Sequence, residues 1–99
     1  MSLVEDKQLF KNFIKSSPLS NEEINDIVEN RFIKTASTNI REIAYQHETQ
    51  ELRTRFNNNT VYLYEKVSPR EFKEFVSSKS LGSYFHDRIR FKKKFKKVD

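Results

Sequence analysis

At 99 residues with a net charge of +5, the chain has the size of one ordinary domain, large enough to bury a core without disulfides or metals. It contains no cysteine, which excludes a disulfide framework, a thiolate nucleophile, Cys-ligated zinc and an iron–sulfur cluster. Hydrophobic residues at 35 % and charged residues at 33 % border on disorder, but nine Phe and four Tyr shift the balance towards a small, aromatic-rich core, because each ring buries a large area.

No apolar run approaches a membrane span, and Met1-Ser-Leu-Val-Glu-Asp6 lacks the charged start and apolar stretch of a signal peptide. A cytoplasmic protein without a transmembrane segment is expected. The charge is distributed unevenly: residues 1 to 34 contribute −1, residues 35 to 87 contribute 0, and residues 88 to 99 contribute +6. An electrostatic partner should find the last dozen residues first.

Ser2-Leu-Val-Glu5 has capping-box spacing, and Leu3, Phe10, Phe13 and Ile14 recur at helical intervals, so a first helix is predicted to about Lys15. Pro18 disfavours helical geometry in the residue before it and breaks the pattern. Ser20-Asn-Glu-Glu23 is a second capping box, and Ile24, Ile27, Val28 and Phe32 mark the dry side of a second helix ending near Lys34. Residues 1–36 read as a helical hairpin.

From Ser37 the period changes to that of half-buried antiparallel strands. Ile43 and Tyr45, then Leu52, Thr54 and Phe56, then Val61 and Leu63 alternate with polar neighbours, which predicts a three-stranded meander. Its second turn falls in Asn57-Asn58-Asn59, residues that tolerate positive φ. A two-residue turn at Asn58-Asn59 would pair Arg55 with Tyr62 and Arg53 with Tyr64 on one side of the sheet. A three-residue turn would move each Tyr to the apolar side instead.

Ser68-Pro69-Arg70-Glu71 is a third capping box with Pro at the first helical position. Phe72, Phe75 and Val76 give this helix its packing side. A last helix is expected from about Gly82 onward, with Phe85, Ile89 and Phe95 near helical spacing and Tyr84, Phe91 and Val98 in a neighbouring stripe. The predicted fold class is α+β: a helical hairpin, a three-stranded antiparallel meander, and two C-terminal helices packed on its apolar side.

Five stretches, in order and spacing, resemble the KTSC domain, a small family named for its place at the C-terminus of some lysyl-tRNA synthetases and also found as stand-alone bacterial proteins. They are Ser37-Thr-Asn-Ile-Arg-Glu-Ile-Ala-Tyr45, Leu52-Arg-Thr-Arg-Phe56, Val61-Tyr-Leu-Tyr64, Val67-Ser-Pro69 and Ser80-Leu-Gly-Ser-Tyr-Phe-His-Asp-Arg-Ile-Arg90. Residues 37–99 are accordingly identified as a KTSC-like domain. Two positions depart from the family pattern: Asn59 stands where Gly is frequent, and His86 where Asn is more usual. The synthetase context implies an association with RNA.

The candidate nucleic-acid contacts are Arg88, Arg90, Lys92, Lys93, Lys94, Lys96 and Lys97, seven cations in the ten residues 88 to 97. Such groups neutralise phosphates and release counterions; the alternative is the solvated face of a helix. Tyr62 and Tyr64 are candidate stacking groups, with Arg53 and Arg55 on neighbouring phosphates. The alternative for these four is a layer of cation–π pairs under the hairpin. Gly82 between Ser80 and Ser83 suits a tight turn better than a phosphate loop, which needs several glycines.

His47 and His86 have no Ser or acid at a spacing that would assemble a nucleophile, a base and an orienter, and two separated His are too few for a metal site. A non-enzyme without metal or cofactor is expected. RNA or another polyanion is the first partner. A protein partner held by the hairpin is the second, which would make the chain a small regulator or inhibitor. An anionic membrane touched by Phe91 and Phe95 is the third.

Overall fold

The structure is a computed structural model that describes residues 3–98, with side chains from Lys7 onward. The Ser2–Glu5 capping box and the Leu3 side chain lie outside the described residues. Helix α1 (Leu3–Ile14) turns Phe10 and Ile14 into the core and stops at the expected break, where the buried Ser17 hydroxyl donates to the Ile14 carbonyl at 2.6 Å. Helix α2 (Asn21–Val28) begins at the capping box read from the sequence. The Glu23 N–H donates to Ser20 Oγ at 3.1 Å, and the Ser20 N–H donates to the Glu23 carboxylate at 2.9 Å.

Helix α2 ends at Val28 rather than near Lys34, because Asn30 adopts a left-handed conformation with φ 61°. The Asn30 N–H reaches the Ile27 carbonyl and the Arg31 N–H reaches that of Asp26, the pair of bonds that closes a helix in a Schellman motif. Phe32, expected on the dry side of this helix, therefore lies beyond it.

Five strands form one antiparallel sheet in chain order: β1 (Ile33–Lys34), β2 (Ile40–Gln46), β3 (Glu51–Phe56), β4 (Val61–Tyr64) and β5 (Phe95–Lys97). The predicted meander is its centre, and β1 and β5 extend it on either side. Strand β2 carries an extra residue at Arg41, since Ile40 pairs with Phe56 while Glu42 pairs with Arg55. That bulge lets Ile40 and Ile43, three apart in sequence, both point into the core.

The β3–β4 turn takes the three-residue form. Thr54 pairs with Tyr62 and Leu52 with Tyr64, while Arg53 and Arg55 pair with Leu63 and Val61. Asn59 sits at φ 67°, and the Phe56 N–H reaches the Thr60 carbonyl at 2.9 Å across the Asn triplet, as expected of a hairpin closed by a left-handed third residue. Side chains alternate strictly on a strand. The Tyr pair and the Arg pair are therefore on opposite sides of the sheet, and the composite Arg/Tyr face does not form.

Helix α3 (Pro69–Ser77) starts at the Ser68/Glu71 capping box and buries Phe72, Phe75 and Val76. Helix α4 (Leu81–Tyr84), a single turn, runs into a π-helical stretch, Phe85–Arg90, that buries Phe85 and Ile89. These elements cover the apolar side of the sheet, as expected: Tyr45 stacks on Phe72 with ring centroids 4.3 Å apart, and Tyr64 meets Phe85 edge to face at 5.1 Å. The core is continuous with the hairpin, joining Phe10, Ile14, Ile24 and Ile27 to Ile43, Leu52 and Phe72.

The expected long C-terminal helix is corrected at Arg90. Beyond it the chain turns and returns as β5, pairing Phe95 with Tyr64 and Lys97 with Tyr62. Without β5, the outer edge of β4 would present a row of unpaired backbone groups. Phe95 supplies ring contacts to both tyrosines, 5.7 Å from Tyr62 and 5.6 Å from Tyr64. The short, lysine-rich β5 is in turn a poor template for further strand addition. Among the described residues, no helix is long and apolar enough to cross a membrane.

Candidate nucleic-acid interface

Arg53 and Arg55 project from the outer side of the sheet, where both guanidinium groups lie 5.0 Å from the centre of the Phe32 ring. Arg53 also donates to the carbonyl and the side-chain oxygen of Asn30, at 3.0 and 2.9 Å, and Arg55 pairs with Glu42 at 3.7 Å. The left-handed Asn30 that ends α2 thus anchors the arginine that holds Phe32 against the sheet. These two arginines form cation–π contacts, but with Phe32 rather than Tyr62 and Tyr64, and on the side of the sheet opposite the core that the hairpin helices join, so the expected layer under the hairpin does not form.

On the other side of the sheet, Tyr64 is 3 % exposed and enclosed by Phe85 and Phe95, which removes it as a stacking platform. Burial pushes its hydroxyl up to about 12, with the Arg90 charge opposing and Tyr62 adding to the shift. Tyr62 is half-buried and closer to the surface. It meets Phe56 and Phe95 edge to face, at 5.9 and 5.7 Å.

The seven cations do not share one face. Lys93 turns inward: its ammonium lies 2.8 Å from the Glu71 carboxylate and donates to the Lys66 carbonyl at 2.9 Å. Burial by itself would raise the Glu71 carboxyl, but hydrogen bonds from Lys93 and Ser68 outweigh it and hold the group below the usual carboxylate range. Lys93 is thus a tether between the C-terminal segment and the start of α3 and leaves the set of candidate phosphate contacts.

Arg88 lies over Tyr84 and Arg90 over Phe91, at 5.9 and 5.2 Å. Both guanidinium groups remain exposed. Lys92 and Lys94 are exposed on the turn before β5. Lys97 shares the side of Tyr62, while Lys96, opposite Leu63, points to the side of the arginines. Among the described residues, no carboxylate pairs with Lys92, Lys94, Lys96 or Lys97. The cations therefore form an edge, made of the π-helical end, the turn and β5, rather than a helical stripe.

Beside this edge a groove of about 680 Å³ opens between the β3–β4 turn and the π-helical stretch. Phe56, Tyr62, Phe85, Phe91 and Phe95 line it, with Asn57, Asn58 and Arg90. Phe91 is 71 % and Phe95 57 % exposed. Phe91 and Phe95 drew notice in the sequence as members of helical stripes and as a membrane contact, and the Asn triplet only as a turn. Their meeting in one groove depends on β5, which the helical reading of the C-terminus concealed.

A larger groove of about 780 Å³ separates the hairpin from α4; its lining mixes Leu19, Ile33, Val76 and Leu81 with Ser, Thr and Lys side chains and the carboxylates of Glu23 and Asp87, and it contains no aromatic ring other than that of His86. Gly82 borders it as the second residue of α4, without a positive φ, so the tight turn expected to require a glycine does not form there. The Ser83 N–H is already taken by the N-cap Ser80 Oγ, at 3.3 Å. His47 stacks on Phe10 with ring centroids 4.7 Å apart, whereas His86 lies exposed beside Asp87 at 3.3 Å.

A protein-family model described as the KTSC domain matches residues 36–93, in agreement with the resemblance read from the motifs. A lysine–tRNA ligase from Nostoc punctiforme is 29 % identical over 75 residues, which make up 76 % of this chain and 13 % of the ligase. The chain thus spans a small part of that relative's length. The crystal structure of a KTSC domain protein from Yersinia pestis is similar with a TM-score of 0.67 and 26 % identity, covering 70 % of this chain and 97 % of that one.

Proposed function

This chain belongs to the KTSC domain family, and from that premise we propose that it is a non-catalytic RNA-associated module whose C-terminal edge grips the phosphate backbone. The observation that carries this reading is the edge itself: Arg88, Arg90, Lys92, Lys94, Lys96 and Lys97 are exposed within ten consecutive residues. No carboxylate forms an ion pair with its four outward lysines among the described residues. Phosphate neutralisation with counterion release is what such a surface does best. The match to part of a lysine–tRNA ligase supports RNA over other polyanions. The two histidines lie apart, one half-buried against Phe10 and one exposed beside Asp87, which supports binding rather than catalysis. Replacing Lys92, Lys94, Lys96 and Lys97 together by Ala should weaken binding of a labelled tRNA at least tenfold at low salt; unchanged affinity would refute the edge as the grip.

A second reading rests on α1, where Leu9 is 62 % exposed and Phe13 39 %, in the hairpin that precedes the family match. A protein partner docking there would be lost on Leu9→Asp while tRNA binding persisted. Removing the whole hairpin would not separate the two readings, because Ile14, Ile24 and Ile27 belong to the common core.

A further inference from the structure

Ring pairs that lie flat on one another are found near α1 and α3, where the planes of Tyr45 and Phe72 are 8° apart and those of Phe10 and His47 are 9° apart, whereas the buried Tyr64 and Phe85 meet at 89°. At the groove, Tyr62 meets Phe95 at 87° and Phe56 at 67°, and Phe91 meets His86 at 85°. Edge-to-face contacts leave one face of a ring open to a flat, electron-poor ligand; Arg90 lies over Phe91, which is 71 % exposed. No carboxylate is among the described residues that line the groove, whereas Arg90 lines it and Lys97 stands opposite Tyr62 on the same side of the sheet. At the rim, the Asn57 side chain donates to the Thr38 carbonyl and the Asn58 side chain accepts from the Thr60 N–H. One amide oxygen and one amide nitrogen remain unused there among the described residues.

We propose, building on the RNA-associated reading above, that this groove receives an unpaired nucleobase, so that the ligand is a single-stranded segment rather than a duplex. The volume suits a nucleotide-sized guest, since small-molecule sites commonly run from about 300 to 1,000 Å³. An aromatic lining provides sequence-tolerant stacking. The Arg90 guanidinium and the Lys97 ammonium stand where the flanking phosphates of a strand would pass. The unused Asn57 oxygen and Asn58 nitrogen offer one acceptor and one donor to a base edge. In a duplex the bases are stacked on one another and the deep groove is closed to side chains, so exposed rings gain nothing from it.

Phe91 provides the test, because the chain has no Trp and Phe91→Trp introduces a single reporter on an exposed ring. Its emission should be quenched by a single-stranded oligoribonucleotide, and not by the same strand in a blunt duplex, nor by heparin. Phe91→Ala should lower single-strand affinity about tenfold and leave heparin binding unchanged. Equal responses to strand, duplex and heparin, or an unchanged affinity in Phe91→Ala, would overturn the groove while leaving the phosphate grip intact. Binding to no polyanion at all would overturn both. Equally strong quenching by AMP alone would overturn a strand as the ligand and assign the groove to a free nucleotide.

Discussion

Thr54 is fully buried at the centre of the sheet, and its hydroxyl has no hydrogen-bond partner among the described residues. A buried, unpaired hydroxyl costs about 1–3 kcal/mol. Thr54→Val keeps the shape and removes the orphan, so it should raise stability by about 1 kcal/mol in urea unfolding; destabilisation would mean that the hydroxyl is satisfied. The Glu71–Lys93 pair has the opposite character. Because the Glu71 carboxyl is held below its unfolded value near 4.5, its contribution is present above that pH and is lost as pH falls through the folded value. Unfolding free energy should therefore decline below about pH 4.5, and Lys93→Ala should flatten that decline while costing about 1–2 kcal/mol at neutral pH. An acid profile identical in the variant would show that the tether does not set it. From sequence alone Lys93 is indistinguishable from its neighbours in a run of like charges. Its partner is 22 positions away, at a distance that no local spacing rule reaches.

The capping boxes at Ser20 and Ser68 were legible because both partners lie within four residues, and the structure forms them with both reciprocal bonds. The three central strands were legible from alternation. Strands β1 and β5, at two and three residues, are too short to show a period and exist because the neighbouring edges need partners. The apparent helical stripe of Phe85, Ile89 and Phe95 was misleading in its last member: Phe85 and Ile89 do lie on a helical turn, but Phe95 reaches the tyrosines by strand pairing. The length of the Asn triplet turn was ambiguous in sequence, and the left-handed Asn59 resolves it. Asn59→Ala should cost about 1–2 kcal/mol, the penalty for a Cβ-bearing residue without a local polar group in that conformation. An unchanged melting transition would argue against the three-residue turn and hence against the placement of Tyr62 and Tyr64 on the core side.

At the scale of the whole molecule, one continuous core supports two differently built sides. The outer side of the sheet has its arginines engaged with Phe32, Asn30 and Glu42. The other side ends in an aromatic groove next to an edge of cations, and this contrast could not be read before the register was known. Charge counting places the surplus cations in the last dozen residues but says nothing of their arrangement, in which Lys93 is withdrawn and Lys96 and Lys97 point to opposite sides of β5. The most direct measurement is the salt dependence of binding to a single-stranded oligoribonucleotide. With four to six phosphates contacted, the plot of log K against log salt concentration should fall with a slope of roughly −3 to −4, and the slope should become shallower when Lys92, Lys94, Lys96 and Lys97 are neutralised. A slope near zero, or binding of equal strength and equal slope in the neutralised variant, would contradict a phosphate grip at this edge.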